Sequence, residues 1–285
     1  MIVVTGATGP LGRLVIAELR ERGVAADRIV AAVRSPEKAA DLAASGVAVR
    51  EADYDRPATL AAAFEGAEKV LLISGNEVGR RVPQHRAVID AAKGAGAGLL
   101  AYTSVLRADT TTVAVAPEHK ETEEYLVASG LPYSLLRNGW YTENYTQAVA
   151  QALATGTLLG AAGEGLVASA TRADYAAAAA AVLTGEGHAN TVYELSGDTA
   201  WTMAEFAAAL TEVSGTKVEY RDLPADEYRA ALVGNGLPDE VAAFLARLET
   251  DIADGALAHT PGDLARLTGR PTTPLRDTLA ALARA

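Results

Sequence analysis

Thr5-Gly6-Ala7-Thr8-Gly9-Pro10-Leu11-Gly12 lies between an apolar run at residues 2–5 and an amphipathic stretch at 11–22, and it restricts the fold more than any other segment. The apolar run reads as a strand. Leu11, Leu14, Val15 and Leu19 recur at helical spacing, so the stretch that follows reads as a helix. Gly6 permits the tight bend between them, Gly9 lets backbone approach a ligand, and Gly12 lets helix pack against strand. The helix start then offers free N–H groups and its positive dipole end to an anion, which suits a pyrophosphate. The spacing is Gly-x-x-Gly-x-x-Gly, not the commoner Gly-x-Gly-x-x-Gly, and a plain turn also carries glycines. Its place between strand and helix predicts dinucleotide binding by Gly6, Ala7, Thr8, Gly9, Pro10, Leu11 and Gly12.

The same rhythm of apolar run, turn and amphipathic stretch continues. Strands are predicted at 29–33, 48–51, 70–74, 99–104 and 133–137, and helices at 36–45, 60–64, 84–94 and 119–129. Parallel neighbours need long crossovers, and strands as apolar as 70–73 suit a sheet covered on both faces. The fold class is α/β: a doubly wound parallel-sheet Rossmann domain over residues 1–140, completed by parts of 165–200. Residues 141–285 read as a smaller α/β C-terminal cap, partly interleaved and substrate-binding. Within it, helices are expected at 144–154 and 172–183, and short strands at 192–195 and 217–221. Thr202 with Glu205 has the capping-box spacing for another helix, and helices with Gly/Pro breaks follow from 224.

Composition narrows the chemistry. With no cysteine there is no thiolate nucleophile, disulfide framework or Cys-ligated metal, and the four histidines (85, 119, 188, 259) are too scattered to predict a metal site. A net charge of −11 makes nucleic acid a poor partner. No apolar run approaches the ~20 residues of a membrane span, and the N-terminus has no basic leader. A cytoplasmic setting is expected.

The strand at 29–33 ends in Arg34, with no acid until Glu37, so a guanidinium stands where a ribose-binding acid would favour NAD. NADPH is therefore favoured, with NADH open as a substitute. Asp53, just beyond the third strand, is placed to accept from an adenine amino group or to cap the helix before Pro57. None of the ten tyrosines is followed by Lys four residues later, so the Tyr-x-x-x-Lys acid of alcohol-oxidising dehydrogenases is missing. Reducing an isolated ketone without an acid leaves a strongly basic alkoxide, whereas a quinone yields a far weaker phenolate. The acceptor predicted is conjugated and easily reduced. His119 opens the helix after the fifth strand and is a candidate proton donor or substrate ligand; Lys120 belongs with a charged face ending at Glu124. Asn138, Trp140 and Tyr141 follow the sixth strand, at the sheet edge where ligands bind, with Gly139 allowing close approach. The aromatic pair either stacks on a flat substrate ring or packs the two domains together.

Several of these segments together resemble the NmrA-like family of atypical short-chain dehydrogenases. They are the glycine loop, Val33-Arg34-Ser35-Pro36, Ala52-Asp53-Tyr54, Tyr102-Thr103-Ser104, the run from Leu136 to Tyr141, and that from Ala168 to Tyr175. The likeness is strongest over residues 1–200, and within the family it points to the quinone-reductase branch, with triphenylmethane-dye reductases as cousins. It implies NADPH in a cleft between the domains and two-electron reduction of a small-molecule quinone by direct hydride transfer. Carried over by position, it adds Ser74, Asn76, Glu143 and Arg172 to the cofactor residues, along with Asn138, Gly139, Trp140 and Tyr141. Asn138, Trp140 and Tyr141 double as substrate residues, and His119 and Tyr141 are the catalytic candidates. Gly75-Asn76 departs from the small hydroxyl residues usual in that loop. His119 falls where related phenylpropanoid reductases carry a catalytic lysine, and Lys120 is one place late. Two other readings stay open: a non-catalytic redox sensor of the NmrA type, and a reductase of a dye, imine or enone. An Ala-rich surface fits either a monomer or a homodimer.

Overall fold

The apolar run at the start of the chain becomes the centre of a parallel sheet. In the computed structural model, which describes residues 1–284, β1 (Ile2–Thr5) leads through the glycine loop into α1 (Pro10–Glu21). Then come β2 (Ile29–Val33), α2 (Ala40–Ala44), β3 (Ala48–Glu51), α3 (Pro57–Ala63) and β4 (Lys69–Leu72). The unit closes with α4 (Arg81–Gly94), β5 (Leu99–Val105), α5 (Ala116–Ser129) and β6 (Tyr133–Asn138). Beyond a 3-10 turn at Thr142–Tyr145 lie α6 (Thr146–Thr155), β7 (Thr157–Gly160), β8 (Leu166–Val167), α7 (Arg172–Thr184) and β9 (Thr191–Leu195). The chain then forms β10 (Trp201–Thr202), α8 (Met203–Ser214), β11 (Glu219–Asp222), α9 (Ala225–Gly234), α10 (Asp239–Ala253), α11 (Asp263–Thr268) and α12 (Leu275–Leu282).

Seven strands pair in parallel in the order β3-β2-β1-β4-β5-β6-β9. The order reverses between β1 and β4, which opens a crevice at the carboxyl ends of the strands, where the glycine loop sits. Alternate residues of each strand serve opposite faces. Val4, Ala31 and Leu71 pack with Leu11, Val15 and Leu19 of α1 and with Ala176, Ala178, Ala179 and Ala180 of α7. Val3, Val30, Val70 and Leu72 pack with Phe64 and with α3, α4 and α5. Two covered faces explain why the strands lack polar alternation. β9 and α7 follow residue 141 in the chain yet belong to this sheet and its helical layer.

A third apolar cluster joins Tyr145, Val149, Trp201, Phe206 and Ile252. It is framed by two two-stranded sheets, antiparallel β8–β10 and parallel β7–β11. The strand expected at 217–221 is observed as β11 at Glu219–Asp222, two residues later, because its ladder runs from Thr157 to Gly160 of β7. The helix expected from 144 begins at Thr146, after the 3-10 turn. Thr202 and Glu205 form the full reciprocal capping box at the start of α8. Among the described residues no helix is long and apolar enough to cross a membrane.

Candidate active site

A cleft of about 690 Å³ runs along the carboxyl edge of the sheet and is closed on its far side by Val113, Trp140 and Leu257. That volume is in the range of small-molecule sites. At one end stands the glycine loop. Gly6 adopts φ +57°, a conformation open to glycine, and its carbonyl accepts the Gly9 N–H at 2.9 Å. A Cβ on Gly12 would lie 2.5 Å from Gly6 O and 2.7 Å from Ala7 Cα, so only hydrogen fits where α1 crosses the loop. No side chain caps α1, and Pro10 occupies its first turn. The first-turn N–H groups are therefore left for a ligand. Gly6, Thr8, Gly9, Pro10, Leu11 and Gly12 all line the cleft, whereas Ala7 is fully buried beneath it.

Arg34 projects from the end of β2 with its side chain 71% exposed, and its guanidinium lies 3.4 Å from Glu77 across the cleft mouth. Lys38 lines the same corner, a second cation that the helical reading of 36–45 did not single out. Asp53 also lines the cleft, but its carboxylate accepts the Asp55 N–H at 3.1 Å and stands 3.5 Å from Arg56 Nε. It shapes its own turn as well as facing the ligand space. Beside it, the Tyr54 hydroxyl donates to Thr5 Oγ1 at 2.6 Å.

The loop after β4 supplies Ser74, Gly75, Asn76 and Glu77 to the wall. It is held from behind. The Gly75 N–H donates to His85 Nε2 at 3.0 Å, and the Ser74 N–H donates to Thr103 Oγ1 at 2.9 Å. Arg81, 4% exposed, donates through Nε to Gly75 O at 2.8 Å and pairs with Glu118 of α5, which in turn accepts the Gly79 N–H.

At the opposite end of the cleft Val105, Val113, Val115 and Leu257 make an apolar chamber with His119, Asn138, Trp140 and Tyr141. His119 is nearly buried, and its Nδ1 meets the Tyr102 hydroxyl at 2.7 Å. Burial, reinforced by the Arg81 charge, holds its imidazole down to about 3, so it is neutral at neutral pH. Asn138 Nδ2 donates to the Tyr141 hydroxyl at 3.2 Å, and burial pushes that phenol above its ordinary value. Arg172 lies over the Tyr141 ring at 4.8 Å and donates to Asn144 Oδ1 at 2.7 Å. Trp140 lines the chamber and packs on the third apolar cluster. The close approach that Gly139 allows is to protein: a Cβ there would be 3.1 Å from both Leu195 O and the Tyr175 hydroxyl. Glu143 does not line the cleft; it accepts the Arg172 N–H at 2.9 Å. Lys120 is exposed and outside the lining.

The NmrA-like family matches residues 1–256. Quinone oxidoreductase 2 of Escherichia coli (strain K12) is 52% identical over 282 residues, covering 99% of this chain and 98% of the relative. The crystal structure of the E. coli NADPH-dependent quinone oxidoreductase complexed with NADPH superposes with a TM-score of 0.96, covering 99% of each chain. Triphenylmethane reductase of Citrobacter sp., complexed with NADP(H), is 39% identical with a TM-score of 0.95 over 99% of this chain and all of the other.

Proposed function

The chain belongs to the NmrA-like family, and we propose that it is an enzyme of NADPH-dependent two-electron quinone reduction by direct hydride transfer. The observation that carries this is one continuous cleft with a glycine-loop anion site at one end and an apolar chamber holding His119 and Asn138 at the other. The full-length likeness to a quinone oxidoreductase supports the same reading.

The residues present fit NADPH. The Gly12 site leaves no room for a Cβ, the uncapped start of α1 suits a pyrophosphate, and Arg34 with Lys38 supplies positive charge for a 2′-phosphate. When bound, NADPH supplies the hydride. Asp53 faces the adenine side, and Ser74, Asn76, Asn138 and Gly139 border the nicotinamide side. Ala7 and Glu143 act indirectly, the first under the loop and the second by holding the Arg172 backbone. Trp140 and Tyr141 hold the acceptor ring, and the apolar wall excludes water from it. His119 is neutral and offers a hydrogen bond to a quinone oxygen, so the one proton that completes the quinol after hydride transfer comes from solvent. Tyr141, with its raised pKa, orients Asn138 and does not serve as an acid. Residues 1–140, completed by α7 and β9, form the nucleotide domain and the remainder the smaller substrate domain. A cytoplasmic setting belongs to the same reading.

The test is to follow NADPH absorbance with and without a panel of simple quinones. Quinone-dependent oxidation is expected. Tight NADPH binding with none would sink the enzyme reading and favour a nucleotide sensor. Oxidation by triphenylmethane dyes alone would move the assignment to a dye reductase.

A further inference from the structure

Tyr102 is fully buried between two imidazoles, edge-on to His85 at 5.3 Å and stacked on His119 at 5.8 Å between ring centroids. The hydrogen bonds around this column fix where its protons lie. A backbone N–H can only donate, so the Gly75 N–H makes His85 Nε2 an acceptor. His85 must then carry its proton on Nδ1, facing Thr122 Oγ1 at 3.1 Å, and the Thr122 hydroxyl donates to Glu118 O at 2.8 Å. His85 is neutral and immobile.

His119 follows by the same logic. The close hydrogen bond of the Tyr102 hydroxyl is to His119 Nδ1 at 2.7 Å; the Ser74 and Thr122 hydroxyls also face it, without comparable geometry. Were Nδ1 the donor, the buried phenol proton would have to exchange this 2.7 Å acceptor for the poorly aligned Ser74 or Thr122 hydroxyl, which is costly away from water. Tyr102 therefore donates, Nδ1 accepts, and a neutral His119 carries its proton on Nε2. Nε2 has no protein partner and is not among the sealed unpartnered atoms, while His119 lines the cleft. We infer that Tyr102 is a positioning residue that locks His119 as the Nε2–H tautomer, aimed as a neutral hydrogen-bond donor at the quinone oxygen where charge develops.

The inference rests on the quinone-reductase reading. Reduction adds two electrons and one proton as hydride and leaves a quinol monoanion, whose second proton comes from water. His119 thus loses no proton. It stabilises the anion, and a neutral imidazole does so without leaving a buried cation behind. The charged groups around it agree: Arg81 of α4, itself paired with Glu118 of α5, lies near both imidazoles and, together with burial, disfavours a second positive charge.

The experiment is nitrogen NMR of the nucleotide-free protein with labelled histidine, which reads the tautomer without turnover. His119 is expected to show a protonated Nε2 and a bare Nδ1, unchanged between about pH 5 and about 8. In Tyr102→Phe the pattern should shift toward Nδ1–H or a mixture. kcat should fall about tenfold, as losing an orienting partner commonly costs, with NADPH affinity unchanged. His119→Gln, whose amide can donate from near the Nε2 position, should retain more kcat than His119→Leu. A wild-type Nδ1–H tautomer overturns the inference, as does an unaltered tautomer and kcat in Tyr102→Phe. If no quinone is reduced at all, the reading of function fails while the spectrum still decides the lock.

Discussion

Arg34 is the residue on which cofactor choice turns. Its pairing with Glu77 joins an exposed side chain to a partly exposed one at 3.4 Å and is worth little in water, so a phosphate can displace the carboxylate readily. Charge-assisted hydrogen bonds to a phosphate contribute about 1.5–3 kcal/mol. Arg34→Ala should therefore raise KM for NADPH about tenfold or more and leave NADH nearly unchanged. Steady-state kinetics with both nucleotides check this; an equal loss with both would remove the role. His85 and His119 make a second prediction, in stability. Burial holds both to about 3, against 6.5 for the free side chain. Between those values the unfolded chain binds two protons that the folded chain refuses, so stability is full above about 6.5 and declines as pH falls. The slope is up to about 3 kcal/mol per pH unit for the pair. Denaturant titrations at pH 7 and pH 5 should show the decline, and His85→Gln should remove about half of it. An unchanged slope in that variant would mean other groups cause it.

Helix α1 shows how an element can be fixed by one missing atom. A Cβ at Gly12 would strike backbone on two sides, Gly6 O and Ala7 Cα, and neither can rotate away. Gly12→Ala should cost about 1–3 kcal/mol by overpacking and also displace the loop from its ligand. Thermal unfolding and NADPH titration should both respond; a destabilised variant with native nucleotide affinity would separate packing from binding. This element was legible in the sequence because glycine spacing and helical periodicity say the same thing. β2 was legible to the residue, since an unbroken apolar run marks a strand covered on both faces. Other elements were not. α4 starts at Arg81, three residues before the periodicity suggests, because Arg81 and Gln84 are polar yet buried through bonds to the loop after β4 and to Asp55. β8 and β10 are two residues each and exist only because Val167 meets Trp201, a pairing that no local pattern announces. In the site, the glycine loop and Arg34 could be read from residue type and place. The His85–Tyr102–His119 column could not, because a lone tyrosine in an apolar strand looks like ordinary core until the helices that flank it are known.

Across the whole molecule, the C-terminal segment returns to the sheet and is tied to the start of α7. Asp174 is the knot: 1% exposed, it accepts from Thr171 Oγ1 at 2.8 Å, Arg270 Nη1 at 2.7 Å and the Thr273 N–H at 3.0 Å. Asp198 and Thr272 add a second tie nearby. Two residues before Asp174, Arg172 covers Tyr141, so this fastening reaches the acceptor end of the cleft. Burial alone pushes the Asp174 carboxyl up, but the donors from Thr171, Thr273 and Arg270 outweigh it and hold it below the ordinary 3.8. A carboxyl lowered by folding stabilises the fold above its unfolded pKa and loses that contribution as pH falls through its folded one. Asp174→Asn should therefore cost about 1–3 kcal/mol at pH 7, the scale of hydrogen bonds to a buried charge. The gap from the parent protein should narrow below about pH 4, as the parent's own carboxylate takes up its proton. KM for the quinone should rise while NADPH affinity stays near its original value, since the glycine loop lies at the other end of the cleft. Unfolding curves at pH 7 and at acid pH, with kinetics at pH 7, read both effects. A gap that is the same at both pH values would show that the charge of Asp174 contributes nothing, and that its hydrogen-bonding shape alone holds the C-terminal segment in place.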